Sequence, residues 1–297
     1  MKIGFIGLGV MGAPMAGRLV ERNHALTVLD SNPAATQAFA ARGVAVAGSP
    51  SALADDAEIV FACLPTLAAV KEVACGPHGI AEGKAVRIYV NLSTTGSPLS
   101  REIAAALALR AIAALDAPIT GGAPKARDGS LTVMVSGPRA AYDSVESLLG
   151  AFATHRVYLG DKPGIAQTMK LINNIMSAAN LAIAAESMVM GAKAGLDPEQ
   201  MLAVLNNGSG QNSATLTKIP DHVLNRQFDY GGALYIIQKD LEAWRQEAEA
   251  LGVPAWIGSA VRQLYLHTIA QGSPKDDMTT VVRLLEGWAG IELPRTR

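Results

Sequence analysis

Lys2-Ile3-Gly4-Phe5-Ile6-Gly7-Leu8-Gly9-Val10-Met11-Gly12 begins as a short apolar run and ends as a G-x-G-x-x-G that leads into the helical pattern Val10 to Glu21. A strand that turns straight into a helix through glycines exposes backbone N–H groups at a helix N-terminus, where the peptide dipoles favour an anion. The string alone also fits an ordinary tight βα turn. What separates the two readings is the next strand, which ends Val28-Leu29-Asp30 and places a carboxylate 18 residues beyond Gly12. That is close to the position of the acceptor for the adenosine ribose hydroxyls in a dinucleotide site. Gly7, Leu8, Gly9, Val10, Met11 and Gly12 are therefore expected to cradle a pyrophosphate, with Asp30 at the ribose. The charge of Asp30 would repel a 2′-phosphate, and no Arg stands among Ser31, Asn32 and Pro33 to receive one, so NAD is favoured over NADP. A simpler role for Asp30 is to open the turn at Asn32-Pro33.

Outward from this stretch, Lys2 to Gly7, Leu26 to Asp30, Glu58 to Ala62, Ile88 to Leu92 and Ile112 to Ala117 read as strands separated by Ala-rich amphipathic segments. Such alternation predicts a Rossmann-type, doubly wound parallel sheet with helices on both faces. Leu131 to Ser136 and Arg156 to Leu159 read as its closing strands, with a helix from Pro138 to Phe152 between them. After Gly164 the period becomes 3.6, beginning with a helix from about Ile165 to Ala194 that Gly195 stops. Asp197-Pro198-Glu199-Gln200 restarts a helix with an N-cap acid and a proline in the first turn. Further helices are expected at about Leu234 to Leu251, Pro254 to Gln271 and Asp276 to Trp288. The expected organisation is a dinucleotide-binding α/β domain over 1–163 and an all-α C-terminal domain over 164–297.

The 297 residues are long enough for two domains, and 49% hydrophobic with 17% charged content excludes disorder. Lys plus Arg is 25 against 26 for Asp plus Glu, so a nucleic-acid or anionic-membrane partner is not expected. Cys63 and Cys75 alone cannot build a disulfide framework or a multi-cysteine metal site, and they suit a reducing compartment. No signal peptide is visible, which makes the cytoplasm the default. The one uncharged run of membrane length, Gln200 to Thr217, is rich in Asn, Ser, Thr and Gly, so no span is expected. No metal ligand set is expected either.

In the long helix, spacing puts Lys170, Asn174 and Ser177 on one stripe and Ile165, Met169, Ile172 and Met176 on another. The polar stripe either faces solvent or lines the place where the chain passes between domains, and the pattern does not choose. Lys239 in Gln238-Lys239-Asp240-Leu241 fits a surface ion pair with a neighbour such as Glu242. Asp116-Ala117-Pro118-Ile119-Thr120-Gly121-Gly122 follows a strand end, where ligands of open α/β sheets bind. Its amides at Thr120, Gly121 and Gly122 form either a nest for a carboxylate or a plain Pro/Gly turn.

Four segments in order resemble the β-hydroxyacid dehydrogenase family over essentially the whole chain. They are Gly7 to Ala16, Asp116 to Gly122, Gly164 through Lys170 to Asn174, and Lys239-Asp240-Leu241. The resemblance implies that Lys170 is the catalytic lysine, Asn174 helps hold the substrate, and Lys239 lies near both nicotinamide and substrate. It also implies that Leu64-Pro65 sits beside the adenosine half, that Thr94 supplies a nicotinamide-side hydroxyl, and that Thr120, Gly121 and Gly122 bind substrate. Thr120 stands where Ser is common and Asn91 where Asp is common, and Pro124-Lys125 replaces small residues.

The implied reaction moves a hydride between NAD and the alcohol carbon of a small 3-hydroxy carboxylate, or reduces the corresponding semialdehyde. The implied assembly is a homodimer or homotetramer. Competing readings are an imine reductase on the same fold, which the family resemblance says would lack Lys170, and a nucleotide-sensing protein without turnover. A phosphogluconate dehydrogenase has a related layout, but the second half here is short for it.

Overall fold

Strand β1 (Ile3–Ile6) is buried at all four positions, as a central strand covered on both faces must be. In the computed structural model, which describes residues 2–294, it pairs in parallel with β2 (Leu26–Leu29) and β4 (Ile59–Ala62). β3 (Ala45–Val46), β5 (Ile88–Asn91) and β6 (Ala113–Asp116) complete a six-stranded parallel sheet in the order β3-β2-β1-β4-β5-β6. The pleat sorts the core into two layers. Ile3, Phe5, Ile59 and Phe61 pack with Met15, Leu19 and Phe152 on one face, and Ile6, Val60 and Ala62 pack with Leu53, Tyr89 and Leu107 on the other.

Two strand expectations need correction. Leu131 to Ser136 and Arg156 to Leu159 do not close the parallel sheet. They form β8 (Leu131–Val135) and β9 (Ala153–Tyr158) of a separate three-stranded sheet, whose third member is β7 (Ile119–Thr120). β7 runs antiparallel to β8, so the chain reverses direction between Thr120 and Leu131. β3 and β7 are two residues long, too short for a period to register. The stretch after β7 is also more ordered than a loop, because a helix occupies Gly122–Asp128.

The chain divides into two compact units between Lys170 and Leu171. The second is helical, and after Tyr158 no strand occurs among the described residues. Its elements include the long helix Ile165–Lys193 from Leu171 onward, Pro198–Asn207, Leu234–Ala250, Trp256–Gln271 and Val281–Ala289. Ala214–Val223 is wound as a π-helix around Pro220, a wide turn that accommodates a residue with no N–H to donate.

The helix Ile165–Lys193 is long and apolar enough to cross a bilayer, although Lys170 and Glu186 interrupt it as an uncharged run. Gln200 to Thr217, by contrast, is no single element, since it spans the end of one helix, a loop and the start of the π-helix. Leu171, Ile175, Ala178, Leu181 and Met188 of the long helix are buried, so it serves as the core helix of the second unit. The usual amphipathic arrangement is inverted on part of its length. Lys170, Asn174 and Ser177 are half-buried, whereas Ile165, Met169, Ile172 and Met176 are exposed.

Candidate active site

The residues expected at a dinucleotide gather at the carboxyl ends of the parallel strands. The glycine turn follows β1, Asp30 follows β2, Leu64-Pro65 follows β4 and Thr94 follows β5. The strand order reverses between β1 and β4, the switch point at which open α/β sheets bind ligands. Gly7 has φ +93°, and a Cβ there would lie 2.2 Å from the carbonyl oxygen of Cys63. A Cβ on Gly12 would lie 1.8 Å from the carbonyl oxygen of Gly7. Both glycines are thus demanded by the turn itself.

Gly9 differs, because a Cβ built there meets nothing within 4 Å. That open space is what a pyrophosphate approaching the backbone requires. The helix Gly12–Glu21 begins without a side-chain cap and without an acid in its first turn, which suits an anion there. These residues fit a dinucleotide.

Asp30 does more than wait for a ribose. The Leu8 N–H donates to its Oδ2 at 2.5 Å and the Asn32 N–H to its Oδ1 at 2.7 Å. The carboxylate therefore braces the glycine turn and also opens the following turn, while each oxygen keeps a lone pair for a further donor. Leu64 is held in the same way, its N–H donating to Ser93 Oγ at 2.8 Å across from the end of β5.

Thr120 ends β7, and Gly121 and Gly122 follow with φ +132° and +75°. Consecutive positive φ values favour glycine at both positions. Below this loop, Asp116 is buried at the end of β6 and collects hydrogen bonds from Ser100 Oγ, Ser136 Oγ, the Gly164 N–H and Gln167 Nε2. Burial raises its carboxyl above the usual range, and those four donors offset part of the effect.

On the long helix, Lys170 and Asn174 stand one turn apart. Asn174 Nδ2 donates to Asp240 Oδ2 at 2.6 Å, and Asn173 Nδ2 donates to Asn174 Oδ1 at 3.1 Å. Lys239 Nζ lies 2.8 Å from Asp240 Oδ1, within ion-pair distance. Glu242, the neighbour named above for a surface ion pair, is engaged by Arg245 and Arg262. Asp240 therefore organises both Asn174 and Lys239.

Three polar residues escaped the sequence reading. Asp240 lies in Gln238-Lys239-Asp240-Leu241, where its adjacency to Lys239 is the available signal. Gln167 was hidden in the first turn of the long helix. Lys218 is buried, with Nζ 3.1 Å from both Ser177 Oγ and Ser213 Oγ and 5.1 Å from the Tyr230 ring centroid. Burial lowers its pKa to about 8. No pattern distinguished it from a surface lysine.

Residues 2–160 match the family model of the NAD binding domain of 6-phosphogluconate dehydrogenase. Residues 164–285 match that described as NAD-binding of NADP-dependent 3-hydroxyisobutyrate dehydrogenase. The 2-(hydroxymethyl)glutarate dehydrogenase of Eubacterium barkeri is 30% identical over 99% of this chain and 97% of its own length. Mitochondrial 3-hydroxyisobutyrate dehydrogenase of Homo sapiens is 33% identical over 95% of this chain and 86% of its own. A solved structure of the Mycobacterium tuberculosis 3-hydroxyisobutyrate dehydrogenase with L-serine is 29% identical, covers 96% of this chain and 98% of that one, and superposes with a TM-score of 0.86. A Streptomyces aurantiacus imine reductase, at 20% identity and a TM-score of 0.62, shares the fold alone. With a glycine turn and an acidic second-strand end of the required geometry, and relatives of this identity over nearly its full length, the chain belongs to the β-hydroxyacid dehydrogenase family, the NAD(P)-dependent oxidoreductases acting on a CH–OH group.

Proposed function

We propose that the protein interconverts a small 3-hydroxy carboxylate and its semialdehyde, with Lys170 as general acid/base and NAD as the preferred cofactor. The observation that carries this reading is the half-buried polar stripe of the long helix, on which Lys170 stands one turn from an Asn174 whose amide is fixed by Asp240. A solvated surface stripe has no need of a buried carboxylate to orient it. The two relatives are named for 3-hydroxyisobutyrate and 2-(hydroxymethyl)glutarate, which share a primary alcohol β to a carboxylate. A substrate of that class is the one to test first.

The bound dinucleotide supplies the hydride acceptor. Hydride leaves carbon only as the hydroxyl gives up its proton, so a base must reach that oxygen. In this reading the neutral amine of Lys170 takes the proton during oxidation, and its ammonium returns it to the developing alkoxide during reduction. Asn174 holds the substrate oxygen in register with the lysine, and the amides of Thr120, Gly121 and Gly122 grip the carboxylate. Lys239 adds positive charge for the substrate, while Thr94 and Leu64-Pro65 line the cofactor. Lys170 also sets this reading apart from imine reduction, whose enzymes resemble the family without that lysine. The exposed Ile165, Met169, Ile172 and Met176 support assembly into a dimer or tetramer, which light scattering would read directly.

The test is a spectrophotometric panel of hydroxy acids and semialdehydes with NAD and NADP, run on wild type and Lys170→Ala. The variant should lose kcat by about 10²-fold or more and still bind cofactor, since the glycine turn is untouched. Near-normal turnover by Lys170→Ala would overturn the assignment.

A further inference from the structure

The side-chain amide of Gln167 is fully buried in the first unit. Its Oε1 accepts from the Thr95 backbone N–H at 2.9 Å, and its Nε2 donates to the Ser93 carbonyl oxygen at 3.0 Å. Those are the two peptide groups on either side of Thr94. One planar amide thus holds both flanking peptide planes and fixes the backbone angles of Thr94 between them.

The same side chain belongs to the first turn of the helix that carries Lys170. That turn is tied to the sheet at further points, since Asp116 Oδ2 accepts the Gly164 N–H at 2.7 Å and Ser136 Oγ accepts the Ala166 N–H at 3.0 Å. Asp116 Oδ1 lies 3.4 Å from Gln167 Nε2. Lys170 follows Gln167 by three residues, one turn along on the same side of the helix.

The turn around Thr94 has its own internal support. Asn91 Oδ1 accepts the Ser93 N–H at 3.0 Å, and Asn91 Nδ2 donates to Thr95 Oγ1 at 3.4 Å. Gln167 is therefore not needed to close this turn. What it adds is the connection from the turn to the helix.

We propose that Gln167 is a positioning residue for the reaction, a strut that sets Lys170 relative to the nicotinamide side at Thr94 so that proton and hydride move in one fixed geometry. The proposal rests on the roles given above to Lys170 and Thr94. Glutamine suits the task because one flat group presents an acceptor and a donor at the spacing of the two peptide groups. An ionised glutamate has no proton for the Ser93 carbonyl and would set a second carboxylate against Asp116, while methionine fills the volume and makes neither bond.

The experiment uses Gln167→Met and Gln167→Glu with a hydroxy acid that the wild type oxidises and the same acid deuterated at the alcohol carbon. Lys170→Ala runs in parallel. A displacement of about 1 Å can cost 10²-fold in rate, so kcat should fall by about tenfold or more. Cofactor affinity and the number of cofactor-binding sites should stay near wild type, and the primary isotope effect on kcat should stay at or above the wild-type value. Gln167→Glu carries the test if Gln167→Met does not fold, because it keeps the Thr95 bond.

Wild-type kcat in a folded variant overturns the proposal. So does a loss of kcat matched by a loss of cofactor-binding sites, an isotope effect below wild type, or a failure of both variants to fold. Should Lys170→Ala keep its turnover, the reading of Lys170 fails and takes this proposal with it. Should Lys170→Ala collapse while both Gln167 variants stay active, the Gln167 proposal fails alone.

Discussion

Asn174 donates its side-chain N–H to Asp240 at 2.6 Å, and the other oxygen of that buried carboxylate lies 2.8 Å from Lys239 Nζ. Two residues proposed for substrate binding thus share one orienting acid. Asp240→Ala removes the acceptor that fixes the Asn174 amide and the counter-charge of Lys239. The expected outcome is a fall in kcat/KM for the hydroxy acid of roughly 10- to 100-fold, as for the loss of a hydrogen bond to a charged group of about 1.5–3 kcal/mol. Cofactor affinity, measured by nucleotide fluorescence, should change far less. Equal losses in both would argue that Asp240 supports the fold rather than the substrate.

The glycine turn makes a prediction that separates ligand binding from folding. Gly9→Ala adds a methyl group to open space, so the melting temperature should stay near wild type while the Kd for NAD(P) rises by about tenfold or more, the scale of 1.4 kcal/mol. Gly12→Ala drives its methyl group into the Gly7 carbonyl and should lose stability as well. Thermal unfolding and cofactor titration on the two variants check this, and a Gly9→Ala protein with intact affinity would remove the cradle from Gly9.

Asp30 carries two roles that one substitution exposes together. Asp30→Ala should shift the ratio of kcat/KM for NAD over NADP towards NADP by about one to two decades, for a differential of roughly 1 to 3 kcal/mol. It should also cost about 1 kcal/mol of stability, because the Leu8 and Asn32 N–H groups lose their acceptor. A wild-type protein that prefers NADP would show that Asp30 braces the turn and selects nothing.

Lys218 predicts a pH dependence of stability. Burial lowers its pKa from 10.5 to about 8 in the folded chain, so between those values the unfolded chain binds more protons and stability rises with pH. Below about pH 8 both states are protonated and the cost of burying the charge is present in full. Wild type should gain on Lys218→Met as pH is raised from about 7.5 to 9.5, by at most about 3 kcal/mol over the full titration. Parallel stability curves for the two proteins would refute a depressed lysine.

The first unit was legible where the chain obeys a period or a turn rule. The run from Ile3 to Gly12 names a strand, a turn and a helix N-terminus because each residue must suit its own backbone, and Gly7 and Gly12 meet a steric demand that no side chain could satisfy. β8 and β9 are legible as strands but not as members of a second sheet, since periodicity reports that a segment is extended and not which edge it joins. β7 was lost altogether, two residues being less than a pattern. The polar stripe of Lys170, Asn174 and Ser177 was visible as spacing, but its burial was not. The same spacing serves a solvated face and a lined site.

The sequence by itself determined the α/β-then-α order of elements, the glycine turn after β1 and the carboxylate after β2, because these depend on local conformation and short-range spacing. Only the tertiary structure decided what the isolated polar groups do. Asp240 orients Asn174 across 66 residues of chain, and Gln167 spans 72 residues to Thr95. The Lys218 ammonium lies buried against Ser177, 41 residues away. The physical reason is that a hydrogen bond between distant residues depends on burial and direction, which exist only once the core has closed, whereas helix period and turn chemistry are written into consecutive residues.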